Sequence, residues 1–549
     1  MVANIVIGLS AAALIYLLYT YILYPAFFSP LARLPTPHWS CAVSDFWILR
    51  ARKKGAENRA LYDAHFRHGQ VVRVAPNTVS VDGVEAMRTV YQGGYEKAPW
   101  YGRFNNYGVP CMFSTLGSKE HSRRKRMISN VYSKSYIQAS QPAKAQSRVI
   151  LLGRLLPLLR REAASATSRG TEVQSIFMAT TMDLISAYIF GIQNSTNFLE
   201  DKAYRDHWLR LYLSRHHHHF WPQEMPTLTS LCAKFGIRLY PSFVDSANAE
   251  LRDWNKELCD KTREFISATP AATLPEDEPV VFKAIHAGID KEERTEGDAS
   301  LLFDTTICQR DSSVACEILD QVLAGHETAG IVLTCLAWRM SQNQDLQGQL
   351  REEILALEPS LAAGTGAACL PDARALDNLP ILHAVVMETL RLHAPIPGPQ
   401  PRETPYPSCT IGGYELPGGV RIAALAHTLH LDERVYPDPK RWDHTRWLAY
   451  SSTEEHHRAM NRQFWAFGSG GRMCVGSNFA LNGTATPSPG NSLLGSHAGT
   501  DLTAEMKFIA AVIYANFTTT VVNDSGVEQT DGYSARPVGN QLFLKFNPL

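Results

Sequence analysis

The chain has 549 residues, 45% hydrophobic and 19% charged, and its 53 Lys and Arg balance its 53 Asp and Glu. That balance excludes wholesale disorder and leaves no net field to attract nucleic acid. Ten Cys, none in a CxxC pair, exclude a disulfide scaffold and a zinc ribbon and point to mostly free thiols in a reducing compartment.

Residues 1–32 carry no charged side chain, and Ile5 to Tyr24 is mostly apolar. A helix of about 20 residues rises ~30 Å, enough to cross a bilayer core. Tyr16, Tyr19, Tyr21 and Tyr24 crowd one end, as interface aromatics do. No basic n-region precedes the stretch, so residues 1–28 read as an uncleaved transmembrane anchor rather than a signal peptide. Arg33, Arg50, Arg52, Lys53, Lys54 and Arg59 follow it, which places the body in the cytosol.

Further on, Gln70–Val74 and Thr78–Val81 flank Pro76-Asn77 and predict a hairpin. From about 115 to 390 the pattern is mainly helical, with helices over Ser118–Tyr132, Phe177–Phe190, Cys316–Ser341 and Leu379–Leu392. The stretch 404–425 turns β-like, with turns at Gly412-Gly413 and Gly418-Gly419. A Trp-rich segment (Tyr436–Trp447), a Gly-rich loop (Gly468–Gly476), a helix over Glu505–Asn516 and a strand at Leu542–Phe546 complete the chain. No repeat period, GxGxxG or GxxxxGK[ST] loop is present, so the easy nucleotide-binding readings fall away.

Four constellations carry chemistry. In Phe467–Gly476, glycines let the backbone approach a flat ligand, and loop amides could hold the Cys474 sulfur as thiolate; taken alone, a structural Gly-rich turn with a buried Cys is the plain alternative. Arg472 would face an anionic group there. Glu388 and Arg391 stand at i, i+3 and can pair on one helix face. Ala324–Ala329 (AGHETA) sets a Gly and a Glu-Thr pair inside an apolar helix. The plain alternative is a buried helix with Thr328 bonded back to a carbonyl. His121 and Lys125 share a face at i, i+4. The basic stretch around them, with Arg123, Arg124 and Arg126, also reads as a solvated face that meets a partner or the membrane. The run His216–His219 reads as a loop near a substrate entrance rather than a metal site, because neighbouring side chains splay apart.

Phe467, Gly470, Arg472, Cys474 and Gly476 fit FxxGxRxCxG, and the helix motifs precede them in order. On these residues the chain resembles the cytochromes P450, particularly microsomal-type fungal ones, from about residue 30 to its end. The resemblance implies a mainly α fold with a small β region, the cytochrome P450 fold, as one catalytic domain over 29–549. That outweighs a prior of roughly one domain per 150 residues. It implies haem b with Cys474 as axial thiolate and metal ligand, in a loop built on Phe467, Gly470, Arg472 and Gly476. His121, Lys125 and Arg402 would meet the haem propionates. Glu388, Arg391 and Arg446 would lock the haem-binding core, although this chain has His444-Thr445-Arg446-Trp447 where the family reads PER[FW]. Thr328 would line a groove for dioxygen and Glu327 would relay protons to it.

The implied activity is a monooxygenase that inserts one oxygen atom from O2 into a lipophilic organic substrate of secondary metabolism. Electrons would come from NADPH through a separate NADPH-cytochrome P450 reductase, with cytochrome b5 as a further partner. The chain would span the endoplasmic reticulum membrane once. By the same resemblance the substrate pocket draws on Tyr95–Pro110, residues 205–245, Leu319–Thr328 and Ala394–Pro399. Two other readings stay open: a reductase-independent haem-thiolate isomerase or dehydratase, and a haem-binding protein made inactive by the block at 482–503.

That block follows Ala480-Leu481 and precedes Ala504-Glu505-Met506-Lys507. Fifteen of its 22 residues are Gly, Ser, Thr, Pro or Asn, and removing it restores a continuous helical A-L-A-E-M-K. It reads either as an insertion that splits the helix after Cys474 or as a retained intron translated in frame. Either way a Pro- and Gly-rich block there weakens support for the thiolate.

Overall fold

The computed structural model describes residues 2–165, 169–268, 273–362, 369–449, 451–477 and 505–549. The block 482–503 and the helix start expected at Asn478 lie outside the described residues.

The chain opens with α1 (Val2–Leu18), which continues through a wider helical turn over Tyr19–Phe28. Asn4–Phe28 is thus a 25-residue apolar rod of mean hydropathy 2.1, none of it buried against the body. At 1.5 Å per residue it is about 37 Å long, enough to cross a bilayer, and it fits a single-pass anchor. Its end is tied to the body by Arg73, which donates to the carbonyls of Pro25 (2.8 Å), Ala42 (3.2 Å) and Pro76 (2.8 Å).

The hairpin expected around Pro76-Asn77 is β1 (Val71–Ala75) with antiparallel β2 (Thr78–Val81). Then come α2 (Ser118–Ile128), β3 (Thr171–Glu172), α3 (Val173–Phe190), α4 (Lys202–His217), α5 (Phe243–Ala268) and the 32-residue α6 (Arg310–Ser341). After α7 (Pro380–Leu392), β4 (Arg402–Glu403) leads to the hairpin of β5 (Ser408–Ile411) and β6 (Tyr414–Pro417), turned by Gly412 and Gly413 at positive φ. β7 (Arg421–Ala423), α8 (Glu505–Asn516), β8 (Phe517–Asn523) and β9 (Phe543–Pro548) follow.

Besides the β5-β6 hairpin, two small sheets flank the helices among the described residues. One has the order β1-β2-β7-β4, with β2 and β7 parallel, and the other β3-β9-β8. The fold is therefore mainly α with a minor β region, as expected. The strand β8 was not expected, because the Thr-rich run after α8 carries no turn signal before it.

The core is helical. α3 is apolar enough to span a membrane, yet it is a core helix, with nearly every residue buried. It packs on α6 at two glycines. A Cβ on Gly325 would stand 2.8 Å from Ile185 Cγ1, and one on Gly330 would stand 2.6 Å from Met178 Sδ. A glycine inside a helix costs helix propensity, but here Gly325 and Gly330 let two helices close up. α8 is buried on every side, as a helix at the centre of a large body must be.

Candidate functional site

The loop that carries Cys474 is closed by its own backbone. The Cys474 amide donates to Phe467 O at 3.0 Å and the Met473 amide to Gly470 O at 3.1 Å. Gly470 is required twice, since its φ is +71° and a Cβ there would lie 2.4 Å from Tyr91 O. Gly476 is needed less sterically, as a Cβ there would only touch Cys474 Sγ at 3.9 Å. Phe467 packs its ring on the main core. Burial pushes the Cys474 thiol up, while hydrogen bonds from the Gly476 and Ser477 amides and the charge of Lys125 pull it back towards thiolate. The side chain has accessible surface although its sulfur is enclosed by protein, so it borders an internal cavity.

The facing wall is α6. Asp320, Ala324 and Thr328 recur every four residues and share one face. Ala324 is exposed in the middle of a largely buried helix, and the charge of Asp320 reaches Cys474, so that face looks into the same cavity. Thr328 Oγ1 donates back to Ala324 O at 2.8 Å. Glu327 is turned away from it, towards Tyr212 Oη and Arg536, each 2.6 Å from a carboxylate oxygen.

Beside the loop lies a pocket of crowded cations. His121 is pushed down to about 3 by burial and then by the charges of Arg472, Lys97, Lys125 and Arg402. Lys97 is pushed well below its ordinary value by burial, Arg402 and Arg472, and sits 4.2 Å and 4.1 Å from the ring centres of Tyr101 and Phe113. Arg402 is buried and donates to Tyr101 Oη (3.2 Å) and Pro401 O (3.1 Å). Arg472 donates to Thr115 O (2.8 Å) and pairs with Glu96 (2.7 Å). The Lys125 ammonium holds the cysteine loop itself, donating to Gly471 O (3.0 Å) and Met473 O (3.1 Å).

These residues fit a haem. One thiol with accessible surface and amides aimed at it suits an iron ligand, and like charges crowded at the cavity's edge suit a dianionic group such as two propionates. Lys97 was missed by sequence reasoning, because nothing in its local pattern marks it and only the fold brings it to Arg402 and Arg472.

The outward basic face expected on α2 is largely committed. Arg124 is buried on Thr305 and Ser313, and Arg123 pairs with Glu292 and Glu296. The histidine run is only half loop: His216 and His217 end α4, and His218 and His219 form the turn that follows. Among the described residues no three His, Cys, Asp or Glu side chains converge as a metal site.

Glu388 and Arg391 form a fully buried, two-pronged pair at 2.8 and 2.7 Å. Its spare capacity is filled, as buried charge requires. Arg391 donates to His430 O and Pro439 O, both at 2.8 Å. Glu388 accepts from the Asp443 amide (2.9 Å) and the Trp447 indole (3.0 Å), with Arg446 Nε at 3.4 Å. The departure from PER[FW] is thus accommodated by a short turn over His444–Trp447, capped by Asp443. His430 joins this cluster to the cysteine loop. Its Nδ1 bonds Arg391 O (2.8 Å) and its Nε2 accepts from the Trp465 amide (2.8 Å).

The sequence profile of the family "Cytochrome P450" matches residues 45–483, most of the chain and up to the 482–503 block. The chain is 26% identical to the cytochrome P450 monooxygenase avaI of Aspergillus versicolor, over 78% of this chain and 95% of that protein. It is 27% identical to the cytochrome P450 monooxygenase aflV of Aspergillus parasiticus, over 83% and 82% respectively. It is 25% identical to tryprostatin B 6-hydroxylase of Aspergillus fumigatus, over 86% and 76%.

Proposed function

Since this chain belongs to the cytochrome P450 family and is a monooxygenase-type enzyme, we propose that it inserts one oxygen atom from O2 into a lipophilic organic substrate of secondary metabolism. The observation that carries this is Cys474: an enclosed sulfur with amides aimed at it, bordering a cavity walled by Asp320, Ala324 and Thr328. Cys474 would ligate haem b, which supplies redox chemistry at a thiolate-bound iron. Lys97, His121, Arg402 and Arg472 would hold its propionates, while Lys125 fixes the loop.

The chain's own residues then orient the reactants and manage protons. Thr328 presents a hydroxyl at the cavity wall, and Glu327, next in sequence but turned towards Tyr212 and Arg536, would carry protons to it. Electrons would come from NADPH through a separate reductase, with cytochrome b5 as a further donor. The rod Asn4–Phe28 would anchor residues 29–549 on the cytosolic face of the endoplasmic reticulum.

The test is a carbon monoxide difference spectrum of the reduced protein, followed by NADPH- and O2-dependent turnover with reductase. The wild type gives the thiolate-ligated band. Cys474→Ser loses that band, and at least 90% of turnover with it, by removing the metal's thiolate ligand. A variant with an unchanged spectrum overturns the reading.

A further inference from the structure

Cys316, Asp320, Ala324 and Thr328 stand four residues apart and share the cavity-facing side of α6. The start of that stripe is covered. Cys316 Sγ donates to Val109 O at 3.2 Å, and the Met112 amide donates to Glu317 Oε2 at 2.7 Å, which lays the segment Val109–Met112 across α6. Asp320 comes next, between the covered Cys316 and the exposed Ala324. Its side chain keeps partial exposure although protein surrounds it, so the carboxyl reaches the cavity.

The two acidic side chains of this turn are served differently. Glu317 is filled, by the Met112 amide on one oxygen and by Gln321 Nε2 on the other at 2.9 Å. Asp320 meets only the Cys111 thiol, a weak donor. Among the described residues no cation pairs with it. Lys97 acts on it from a distance, with its ammonium on Phe113 O and against the Tyr101 and Phe113 rings. Lys97, Arg402 and Arg472 are also the cations assigned to the propionates, so none is left over for Asp320. The Tyr533 hydroxyl lies within reach of the Asp320 charge and has no protein hydrogen bond among the described residues. Its ring is fixed edge-on to Trp100, with centroids 4.9 Å apart, and by Gly398, where a Cβ would stand 2.5 Å from Tyr533 Cα.

We propose that Asp320 is a substrate-binding residue that pairs with a protonated amine, with the Tyr533 hydroxyl as a second acceptor beside it, so that this enzyme takes lipophilic substrates bearing a basic nitrogen. The inference rests on the monooxygenase reading and names the substrate class of the same cavity. A carboxylate enclosed without a counter-charge is costly. Burial, then the charges of Cys111 and Glu317, accordingly push the Asp320 carboxyl well above the usual carboxylate range while the site is empty. An ammonium supplies the missing charge and releases the carboxyl proton to solvent, –COOH + R3NH+ → –COO−···HNR3+ + H+. A neutral substrate leaves that charge unsupplied, and an anion opposes it.

The test uses the full chain, haem-loaded, as wild type, Asp320→Asn and Asp320→Glu. Three probes share one skeleton. They are N,N-dimethyl-2-(naphthalen-2-yl)ethylamine, a cation at neutral pH; 2-(3-methylbutyl)naphthalene, its uncharged isostere; and 3-(naphthalen-2-yl)propanoate, an anion. The crowded, protonated tertiary nitrogen is a poor iron ligand. Equilibrium dialysis gives each Kd independently of turnover. Wild type binds the amine more tightly than the anion. In Asp320→Asn, which keeps the size and loses the charge, the preference for the amine over its isostere falls by about tenfold or more, as the loss of one partner of a desolvated charge pair requires. Asp320→Glu keeps the charge and part of the preference.

An unchanged preference in haem-loaded Asp320→Asn overturns the subsite. So does a wild type that leaves the amine unbound or favours the anion, a comparison that stands even if the asparagine variant fails to fold. If the preference behaves as expected but reductase, NADPH and O2 yield no product from the amine or any other substrate, the monooxygenase reading fails and the amine subsite stands.

Discussion

At the scale of single residues, the site depends on side chains that finish one another's hydrogen bonds. His430 shows this best, because it ties the Glu388–Arg391 pair to the cysteine loop through two contacts of 2.8 Å. His430→Ala leaves the Arg391 carbonyl and the Trp465 amide unpaired in the core. A stability loss of about 2–4 kcal/mol follows, since each orphaned buried group costs ~1–3 kcal/mol. Urea denaturation of the haem-loaded protein measures it, with faster haem release expected alongside. The motif residues Glu388, Arg391 and Cys474 were legible because each sits in a spaced pattern. His430, Lys97 and Arg536 were not, since each acts on a partner distant in sequence.

At the scale of elements, the contact of α3 with α6 sets where Thr328 and Glu327 can stand. Both glycines of α6 approach α3 too closely for a Cβ, but their neighbours differ. Ile185 is β-branched and stiff, whereas the first atom met by Gly330 is the sulfur of a flexible Met178. Gly325→Ala therefore destabilises by up to about 2 kcal/mol: overpacking costs ~1–3 kcal/mol, and a helix gain of ~1 kcal/mol offsets part of it. Gly330→Ala costs less. Thermal denaturation of the two variants side by side checks the order, and a costlier Gly330→Ala contradicts this account. The AGHETA pattern marked the glycine, while the reason for it came from a helix some 140 residues away in sequence.

At the scale of the whole molecule, burial sets the response to acid. His393 and His430 are lowered from the ordinary 6.5 to about 3, and His326 to about 4, each chiefly by desolvation. Below 6.5 the unfolded chain binds protons that the fold refuses. Their contribution is therefore complete above that pH and is lost as pH falls towards 3–4. Each such histidine adds a slope of about 1.4 kcal/mol per pH unit inside the window. Asp183, raised to about 6 by burial, works in the opposite sense, as do Asp320, Glu353 and Glu505, but His121 and His383, each lowered to about 3, add to the imidazole side. The urea midpoint should thus fall steeply from pH 6.5 to 4, and a flat profile would contradict the burial of these rings. Deleting 482–503 rejoins Leu481 to Ala504 and, by restoring the helix behind Cys474, should raise haem content at least twofold in the carbon monoxide difference band, given the ~3 kcal/mol that an interior proline costs a helix. Equal bands from both forms would show that the block is harmless.

The sequence by itself determined the family, the cysteine loop, the Glu388–Arg391 pair and the apolar run near the N-terminus. Each is written as local spacing or as an uninterrupted run, and such patterns need no knowledge of neighbours. Only the tertiary structure decided that Lys125 holds the cysteine loop, that the basic face of α2 is mostly spent on internal contacts, and that Glu327 is gripped by α4 and the C-terminal segment. Those outcomes depend on which distant segments meet. Burial then fixes which charges must find partners, and a linear pattern carries no record of either.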